Sequence, residues 1–235
     1  MGGRKTWTES HSSRLEELKV ILIDDCSTDE TVLRIKEANF GEFVTVITNS
    51  VNQGHGPSVV AGLRAALRAD CEVIVTVDGD AEISAAEIHR VLVTLNTEGA
   101  DVVEGHRQQR VDPAFRKVVS LVARVLIFIV GGRAMWSAKD ANSPVRAYQR
   151  AALVEILGCL HPDERTPNLF ISMIARKAGM QIEQIEVNCR KVHAERVQGT
   201  TWRARFKNIP SRRFLVFCTS ATFDVLRFGS RLRRR

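Results

Sequence analysis

The fold of this chain is best approached through one stretch, Val73-Ile74-Val75-Thr76-Val77-Asp78-Gly79-Asp80-Ala81-Glu82. Its first five residues are apolar or β-branched, and such a run is typical of a strand that is buried on both faces. Three carboxylates follow at every second position, where the strand ends. Because open α/β sheets bind ligands at the carboxyl ends of their strands, the stretch predicts a central strand with an acidic ligand site at its end.

The acidic end of this stretch suits a metal ion. Gly79 lets the chain turn freely, so Asp78 and Asp80 can converge on one point. Converging carboxylates favour a hard divalent cation with oxygen ligands, Mg²⁺ or Mn²⁺. A plain polar turn explains the same residues, since Asp and Gly are common in turns. Glu82 is the weakest of the three candidates, because a glutamate most often lies on the surface.

The size and composition of the chain are those of a globular protein with one domain, or one domain and an appendage. No apolar run reaches the roughly 18 residues of a membrane span, and no signal peptide is recognised at the start. The five cysteines are widely spaced and form no C-x-x-C pair. This pattern predicts reduced thiols in a cytosolic compartment and argues against a zinc site or a disulfide framework.

The net charge of +7 is concentrated near the C-terminus. Residues 203–235 contain ten Lys and Arg against the single Asp224, so this segment carries +9 and the rest of the chain about −2. Its apolar residues recur at spacings of three and four, which predicts one stripe along a helix: Phe214, Phe217, Ala221, Val225, Phe228 and Leu232. A basic helix with an aromatic stripe favours an anionic membrane surface over nucleic acid, for which no recognition motif is present.

Strands and helices alternate along the chain. Apolar runs predict strands near 20–23, 44–47, 73–77, 101–104 and 182–187, and a short extended piece is predicted at 145–148. Helical patterns follow at 58–69, 85–97, 114–130, 151–157 and 168–178. This alternation indicates βαβ units and a mostly parallel sheet flanked by helices, which is the α/β class.

Three motifs follow one another in an order and spacing that are far more specific than each motif alone. The first, Ile23 to Thr31, reads IDDCSTDET; the second, Asn52 to Gly56, reads NQGHG; the third is Asp78-Gly79-Asp80. With them the chain resembles the family-2 inverting glycosyltransferases of the GT-A fold, which has a Rossmann-like sheet. The resemblance covers residues 14–205, which we interpret as the transferase domain, and residues 206–235 form a basic, membrane-proximal tail.

A second group of residues is similar to the polyprenol-phosphate sugar synthases of the dolichyl-phosphate mannosyltransferase type: Gly105-His106-Arg107, Arg116, Ser120, Asp140 and Arg196-Val197-Gln198-Gly199-Thr200. One feature departs from the family. Its members open with a strand that carries a Pro-x-Tyr-Asn-Glu-like motif, and residues 1–13 contain no such pattern. We therefore expect the first strand of the fold to be missing from this sequence.

The resemblance implies a role for each matching residue. A nucleotide-diphosphate sugar would lie against Asp24, Asp25, Asn52, Gly54, Asp78 and Asp80. Mg²⁺ or Mn²⁺, held by Asp78, Asp80 and Glu82, would neutralise charge on the leaving diphosphate. Arg107, Arg116 and Ser120 would hold an acceptor phosphate. Asp80, Asp140 and Arg196 would act in catalysis, Arg196 by closing over the diphosphate and Asp140 as a base if the acceptor is a hydroxyl.

The expected function is transfer of a hexose from a nucleotide-diphosphate sugar to a polyprenyl phosphate at the cytosolic face of a membrane. A separate membrane-anchoring subunit is a possible partner. A polyprenyl phosphate is ionised at neutral pH and needs no general base. Two alternatives stay open: a family-2 transferase with a hydroxyl acceptor, and a truncated, inactive homologue that binds a nucleotide sugar or a membrane. Carboxylates alone would also suit a metal-dependent hydrolase, but the sequence has no nucleophile elbow and no HExxH motif.

Overall fold

The computed structural model describes residues 18–107, 128, 132, 135, 137–140, 142–190, 223 and 227. The strands in this part of the chain are β1 (Val20–Asp24), β2 (Val44–Thr48), β3 (Val73–Val77), β4 (Val102–Arg107), β5 (Val145–Gln149) and β6 (Ile182–Val187). The helices are α1 (Thr31–Glu37), α2 (His55–Arg68), α3 (Ala85–Thr97), α4 (Arg150–Cys159) and α5 (Pro167–Lys177), and a short 3-10 helix (Gly41–Phe43) precedes β2. The predicted alternation is confirmed, and α3 and β6 have the predicted bounds.

The described strands form two separately hydrogen-bonded sheets. β1 pairs in parallel with β2, from Val20 opposite Val44 to Asp24 opposite Thr48. The other sheet has four strands in the order β3-β5-β4-β6. In this sheet β5 runs antiparallel to both of its neighbours, whereas β4 and β6 are parallel.

The α/β arrangement with helices on both faces of a sheet is confirmed, but the described part of this sheet is mixed rather than mostly parallel, and β3 is not at its centre. The larger sheet is mixed because β5, predicted only as a short extended piece, is an inner antiparallel strand. β3 is an edge strand among the described residues, since no described strand covers its other side. Only Ile74 of β3 is fully buried, and Val77 is 43% exposed. The strands that are buried over most of their length are β4 and β5.

Helices cover both faces of the four-stranded sheet. On one face, Ile74 and Val102 join an apolar cluster with residues of α2, α4 and α5. On the other face, Val103 and Val145 join a cluster with Leu95 of α3. Because alternate residues of a strand point to opposite faces, the neighbours Val102 and Val103 belong to different clusters.

Charged side chains are buried on the face that α5 covers. Glu104 of β4 and Arg146 of β5 are direct partners across the ladder, are 1% and 0% exposed, and form an ion pair at 3.0 Å. Ser172 and Arg176 of α5 donate to the same carboxylate at 2.6 and 2.7 Å. Burial acts to raise the pKa of Glu104, but the two guanidinium groups and the Ser172 hydroxyl outweigh it and hold that pKa below its ordinary value.

Helix α2 contacts both sheets. Gly62 lies over Ile23 of β1, where an added Cβ would be 3.2 Å from the isoleucine side chain. Leu63 shares an apolar cluster with Ile74 of β3. The loop after β1 and the residue after β3 both meet the start of α2. β1 and β3 therefore run in the same direction, and their carboxyl ends lie at the same edge of the molecule.

Several sequence predictions concern residues outside the described ranges, and they stay predictions. They are the helix at 114–130 apart from Phe128, the loop that contains Arg196, and the helical tail at 203–235 apart from Phe223 and Arg227. Within the described ranges, no helix has the length and apolar content that a membrane crossing requires.

Candidate active site

Asp24 ends β1 with one carboxylate oxygen that is available to a ligand. The residue is 6% exposed, and its Oδ1 accepts the backbone N–H of Ser27 at 3.2 Å. Its Oδ2 is buried and has no hydrogen-bond partner in the part of the chain that the structure describes. An unsatisfied buried acceptor costs free energy, so a ligand N–H or O–H that reaches this oxygen would bind favourably.

Asp25, by contrast, binds its own chain. Its Oδ1 accepts from Asn49 Nδ2 at 2.9 Å and from the N–H of Gln53 at 2.8 Å, and its Oδ2 accepts from the N–H of Gly54 at 2.7 Å. Asn52 Nδ2 donates to the Asp25 carbonyl at 3.1 Å. Burial acts to raise the pKa of Asp25, but these hydrogen bonds prevail and lower it. Asp25 is thus a clamp that shapes the loop before α2, and direct contact of Asp25, Asn52 or Gly54 with a nucleotide stays a prediction.

Asp78 follows β3 and is half-buried. Its backbone N–H donates to the carbonyl of Pro144 at 3.3 Å, which fixes it beside the start of β5. Its Oδ1 lies 3.9 Å from Nε2 of His55, the first residue of α2. Burial raises the pKa of the Asp78 carboxyl; the carboxylates of Asp80 and Glu82 raise it further, while His55 and Arg107 oppose the rise.

The turn after β3 holds the other two predicted metal ligands. Asp80 Oδ1 accepts the backbone N–H of Glu82 at 2.9 Å, and Ala81 between them has a φ of 59°. Among the described residues, no three His, Cys, Asp or Glu side chains are grouped so as to hold a metal ion. Asp78 and Asp80 fit Mg²⁺ or Mn²⁺ as a pair of oxygen ligands that leaves the other positions to substrate phosphates and water. Glu82 as a third ligand stays a prediction.

Two further predicted residues, Arg107 and Asp140, lie within the described ranges. Arg107 ends β4; its Nε is buried without a hydrogen-bond partner in the described chain, and its charge lowers the pKa of Asp78. Asp140 is half-buried in the connection that enters β5, and its Oδ1 accepts the N–H of Asn142 at 3.0 Å, which braces a turn. The remaining predicted residues, Arg116, Ser120 and Arg196, lie outside the described ranges.

No role for His55 was predicted from the sequence. The structure brings His55 to Asp78, 23 positions away in the chain. The sequence did contain an indication, because His55 belongs to the glycine-rich turn NQGHG that opens α2. A turn that follows a strand of a predicted parallel pair lies at the ligand edge of the sheet.

The carboxyl edge therefore has two chemically different halves, on either side of the start of α2. One half contains Asp24 Oδ2, an acceptor to which no described residue donates, and this oxygen suits an N–H or O–H donor on a ligand. The other half offers the acidic pair Asp78 and Asp80 with the cationic Arg107 beside it, which suits a phosphate bridged by a cation. Together the two halves suit a ligand with a polar ring at one end and phosphate at the other.

Solved structures share this fold. Glucosyl-3-phosphoglycerate synthase from Mycobacterium tuberculosis in complex with UDP matches with a TM-score of 0.54 at 18% identity, over 89% of this chain and 68% of that one. The same enzyme in complex with Mn²⁺, UDP and glucosyl-3-phosphoglycerate matches with a TM-score of 0.52 at 20% identity, over 72% of this chain and 58% of that one. The protein thus has the GT-A fold that its sequence predicted.

The sequence matches the family model "Glycosyl transferase family 2" over residues 4–157, and the chain belongs to this family. One relative is the undecaprenyl-phosphate 4-deoxy-4-formamido-L-arabinose transferase of Proteus mirabilis, 32% identical over 90% of this chain and 61% of the relative. The transferase of the same name from Klebsiella pneumoniae subsp. pneumoniae is 31% identical over 88% of this chain and 59% of the relative. The chain therefore spans about three fifths of the length of these relatives.

Proposed function

We propose that this chain is an inverting glycosyltransferase that moves a sugar from a nucleotide-diphosphate donor to a polyprenyl phosphate with the help of a divalent cation. The observation that carries the proposal is that two groups lie at the same edge, beside the start of α2. They are Asp24 Oδ2, to which no described residue donates a hydrogen bond, and the carboxylates of Asp78 and Asp80. The names of the undecaprenyl-phosphate relatives support a lipid-phosphate acceptor.

The donor nucleotide lies along the carboxyl edge in this proposal. Asp24 Oδ2 accepts an N–H of the base or an O–H of the ribose. The clamp made by Asp25 holds the start of α2, whose dipole favours the negative diphosphate. Asp78 and Asp80 would hold Mg²⁺ or Mn²⁺, which would supply positive charge to neutralise the leaving diphosphate. The solved neighbour that contains Mn²⁺ and UDP supports this use of a cation.

The acceptor phosphate lies against Arg107, together with the predicted residues Arg116 and Ser120. A guanidinium group binds phosphate through two parallel hydrogen bonds, and a hydroxyl adds a third. An oxygen of the acceptor attacks the anomeric carbon from the side opposite the diphosphate; the new carbon–oxygen bond forms, the bond to the diphosphate breaks, and the configuration inverts. Because the acceptor is already ionised, no residue has to remove a proton.

Calorimetry tests the cation. We expect UDP or GDP to bind the wild type more tightly with Mn²⁺ than without it, and we expect Asp80→Ala to abolish that difference. Asp70→Ala serves as the matched control, because Asp70 is exposed at the far end of α2. Nucleotide binding that is independent of Mn²⁺ in both the wild type and Asp80→Ala would remove the metal from the proposal.

Transfer assays test the acceptor. Arg107→Ala and Arg116→Ala should slow transfer to undecaprenyl phosphate by the equivalent of about 2–5 kcal/mol, the cost of breaking a charge-assisted pair, and Arg116→Ala should leave nucleotide binding intact. Arg68→Ala, an exposed arginine at the end of α2, is the control. Unchanged transfer in both variants would contradict the lipid-phosphate acceptor.

One observation favours a hydroxyl acceptor as the second candidate. Asp140 lies on the connection to β5, four residues before Pro144, whose carbonyl binds the Asp78 amide. A carboxylate there would serve as the base that a sugar or protein hydroxyl needs. Asp140→Asn should abolish transfer to a hydroxyl acceptor and leave transfer to undecaprenyl phosphate unchanged, so one assay separates the two candidates.

The basic tail gives the proposal its location. We expect residues 203–235 to hold the protein on the anionic, cytosolic surface of a membrane, because each basic residue near such a surface contributes about 1 kcal/mol and the aromatic stripe adds burial. Sedimentation with anionic vesicles should weaken with salt and fall sharply when the chain is cut after Lys207. Equal sedimentation of the cut and full chains would contradict a membrane role for the tail.

A further inference from the structure

Asn168 is a buried amide at the start of α5. It is 7% exposed, and no described residue forms a hydrogen bond with its side chain. Thr166, at the N-cap of the same helix, has a buried Oγ1 that also has no hydrogen-bond partner. Buried amide and hydroxyl groups are normally hydrogen-bonded in folded proteins, so two such groups that no described residue binds, on one helix start, point to a ligand.

The helix geometry fixes the direction of Asn168. Residues four apart lie on one face of a helix, so Asn168 shares a face with Ser172 and Arg176. Ser172 and Arg176 both donate to Glu104 of β4, which places that face over the inside of the sheet. The amide of Asn168 therefore lies over the same sheet face, one helical turn closer to the helix start.

The sheet topology carries Asn168 to the active-site edge. The end of α5 lies at the amino end of β4, because Asp101 and Gln181 are hydrogen-bonded there. The start of α5 therefore lies at the carboxyl end of β4. Four helical residues rise about 6 Å, which equals about two strand residues, so Asn168 lies near the level of His106. Asp78 follows β3 at the same edge, and strand alternation from Thr76, which like Glu104 pairs with Arg146, places it on the same sheet face.

The loop before α5 also contacts the start of α2. A Cβ on Gly56, in the first turn of α2, would lie 2.3 Å from the carbonyl oxygen of Glu164 and 2.6 Å from that of Arg165. The backbone of this loop thus packs directly against the start of α2. Thr166 directly follows this loop, and Gly56 directly follows His55, so the start of α5 lies beside the turn in which His55 faces Asp78.

We propose that Asn168, with the Thr166 hydroxyl, binds the hydroxyl groups of the sugar that the donor carries and so helps to decide which sugar is accepted. An amide offers one acceptor and two donors side by side, which matches two neighbouring hydroxyls of a neutral ring. Asp78 and Asp80 bind the phosphate end, and β5 separates β3 from β4, so the ring of a diphosphate-linked sugar reaches from Asp78 toward Asn168. This inference rests on the proposed function.

Calorimetry in the presence of Mn²⁺ tests the inference. The ligands are UDP and GDP, each alone and as its glucose and N-acetylglucosamine conjugates. The measured quantity is the tightening of binding that the sugar adds to the nucleotide. Asn168→Ala should lose about tenfold of this tightening, the value of one or two hydrogen bonds, while the affinity for the bare nucleotide stays the same. Thr166→Val should lose less, because it removes a single hydroxyl.

Two controls separate recognition from folding. Asn96→Ala removes an exposed amide of α3, which bonds to the Leu92 carbonyl, and should leave every affinity unchanged. The thermal midpoint of Asn168→Ala should not fall, because no protein group loses a partner. Nucleotide binding with an unchanged sugar contribution in Asn168→Ala, or no sugar contribution in the wild type, would overturn this inference alone. Failure of the wild type to bind any of the nucleotides would overturn the proposed function and this inference with it.

Discussion

The β1–β2 pair and the four-stranded sheet reach the same ligand edge but are ordered by different forces. In β1 the apolar residues Val20 to Ile23 are only half-buried, and Asp24 is the one residue of the strand that is fully buried. In the larger sheet, β4 and β5 are buried over most of their length and packed by helices on both faces. The described apolar clusters therefore lie mostly around the four-stranded sheet, and the β1–β2 pair, which would contact the nucleotide, contributes little to them.

The contacts that hold the two regions together also differ. The loop that joins β2 to α2 is held by polar contacts to a single carboxylate, Asp25. The interior of the larger sheet contains apolar clusters and a fully buried charge network around Glu104. We therefore expect substitutions in the larger sheet to lower the free energy of unfolding, and substitutions in the smaller pair to act mainly on the shape of the nucleotide site.

The largest effect should come from breaking the buried network. Glu104→Ala leaves the guanidinium of Arg146, which is 0% exposed, without its counter-charge, and removal of one partner of a buried pair costs about 3–5 kcal/mol. Chemical denaturation measures this loss. Glu183→Ala, an exposed glutamate on β6, is the matched control and should change stability by less than about 0.5 kcal/mol. Similar losses in both variants would contradict the contrast between the regions.

A smaller loss should follow from crowding the contact between α2 and the loop before α5. In Gly56→Ala the new methyl overlaps the backbone of Glu164 and Arg165, and overpacking of this kind costs about 1–3 kcal/mol. Nucleotide binding should weaken as well, because the start of α2 must shift. The control is Gly158→Ala in α4, where an added Cβ meets nothing within 4 Å; it should stabilise the protein by about 0.5–1 kcal/mol. Equal unfolding midpoints for the two variants would show that the contact is not tight.

Asp25→Asn should act on the β1–β2 side with a cost of about 1 kcal/mol, since an amide accepts fewer and weaker hydrogen bonds than a carboxylate. The pKa of Asp25 is lowered in the folded protein, so its stabilisation is present above the ordinary carboxyl range near pH 4 and is lost as the pH falls through the folded pKa. The stability difference between wild type and Asp25→Asn should therefore shrink below about pH 4. Denaturation between pH 3 and 7 measures it, with the exposed Asp70→Asn as control; a difference that persists at pH 3 would contradict the clamp.

The smallest effect should come from the exposed ion pair on α1. Arg34 Nη2 lies 2.8 Å from Glu30 Oε2, and both side chains are mostly in solvent. Arg34→Ala should cost only about 0.3–0.5 kcal/mol, and 1 M NaCl should remove most of the difference between variant and wild type. A loss above about 1 kcal/mol that resists salt would show that α1 contributes more to the smaller region than its exposure suggests.

The sequence predicted the elements of this fold better than their arrangement. Apolar runs and helical spacing located β6 and α3 at their observed bounds. They did not show that β3 lies at an edge among the described strands, because a run of apolar residues indicates that a strand is buried and not which strands pair with it. They also understated β5. Its second residue, Arg146, looks like a surface residue in the sequence, but in the structure it lies opposite Glu104, 42 positions away.

The candidate site shows the same division. The order of the acidic motifs was enough to place Asp24, Asp25 and Asp78 at one edge of the molecule. It did not distinguish Asp24 from Asp25, which are identical neighbours in the sequence. The structure distinguishes them: both oxygens of Asp25 are bound by its own chain, whereas Oδ2 of Asp24 has no hydrogen-bond partner among the described residues. Asn168 was missed for a related reason, since an asparagine that begins a helix looks like an ordinary capping residue.

The pairing of Glu104 with Arg146 also sets the alignment of β4 on β5. A slip of one residue between these strands would turn the two charges to opposite faces, where each would be buried without its partner. Misaligned pairings are therefore disfavoured far more strongly than they would be in a purely apolar sheet. Because β5 also carries β3, the same pair keeps Asp78 beside Pro144. The buried charge pair thus fixes the register of the strands and, through it, the position of Asp78 at the ligand edge.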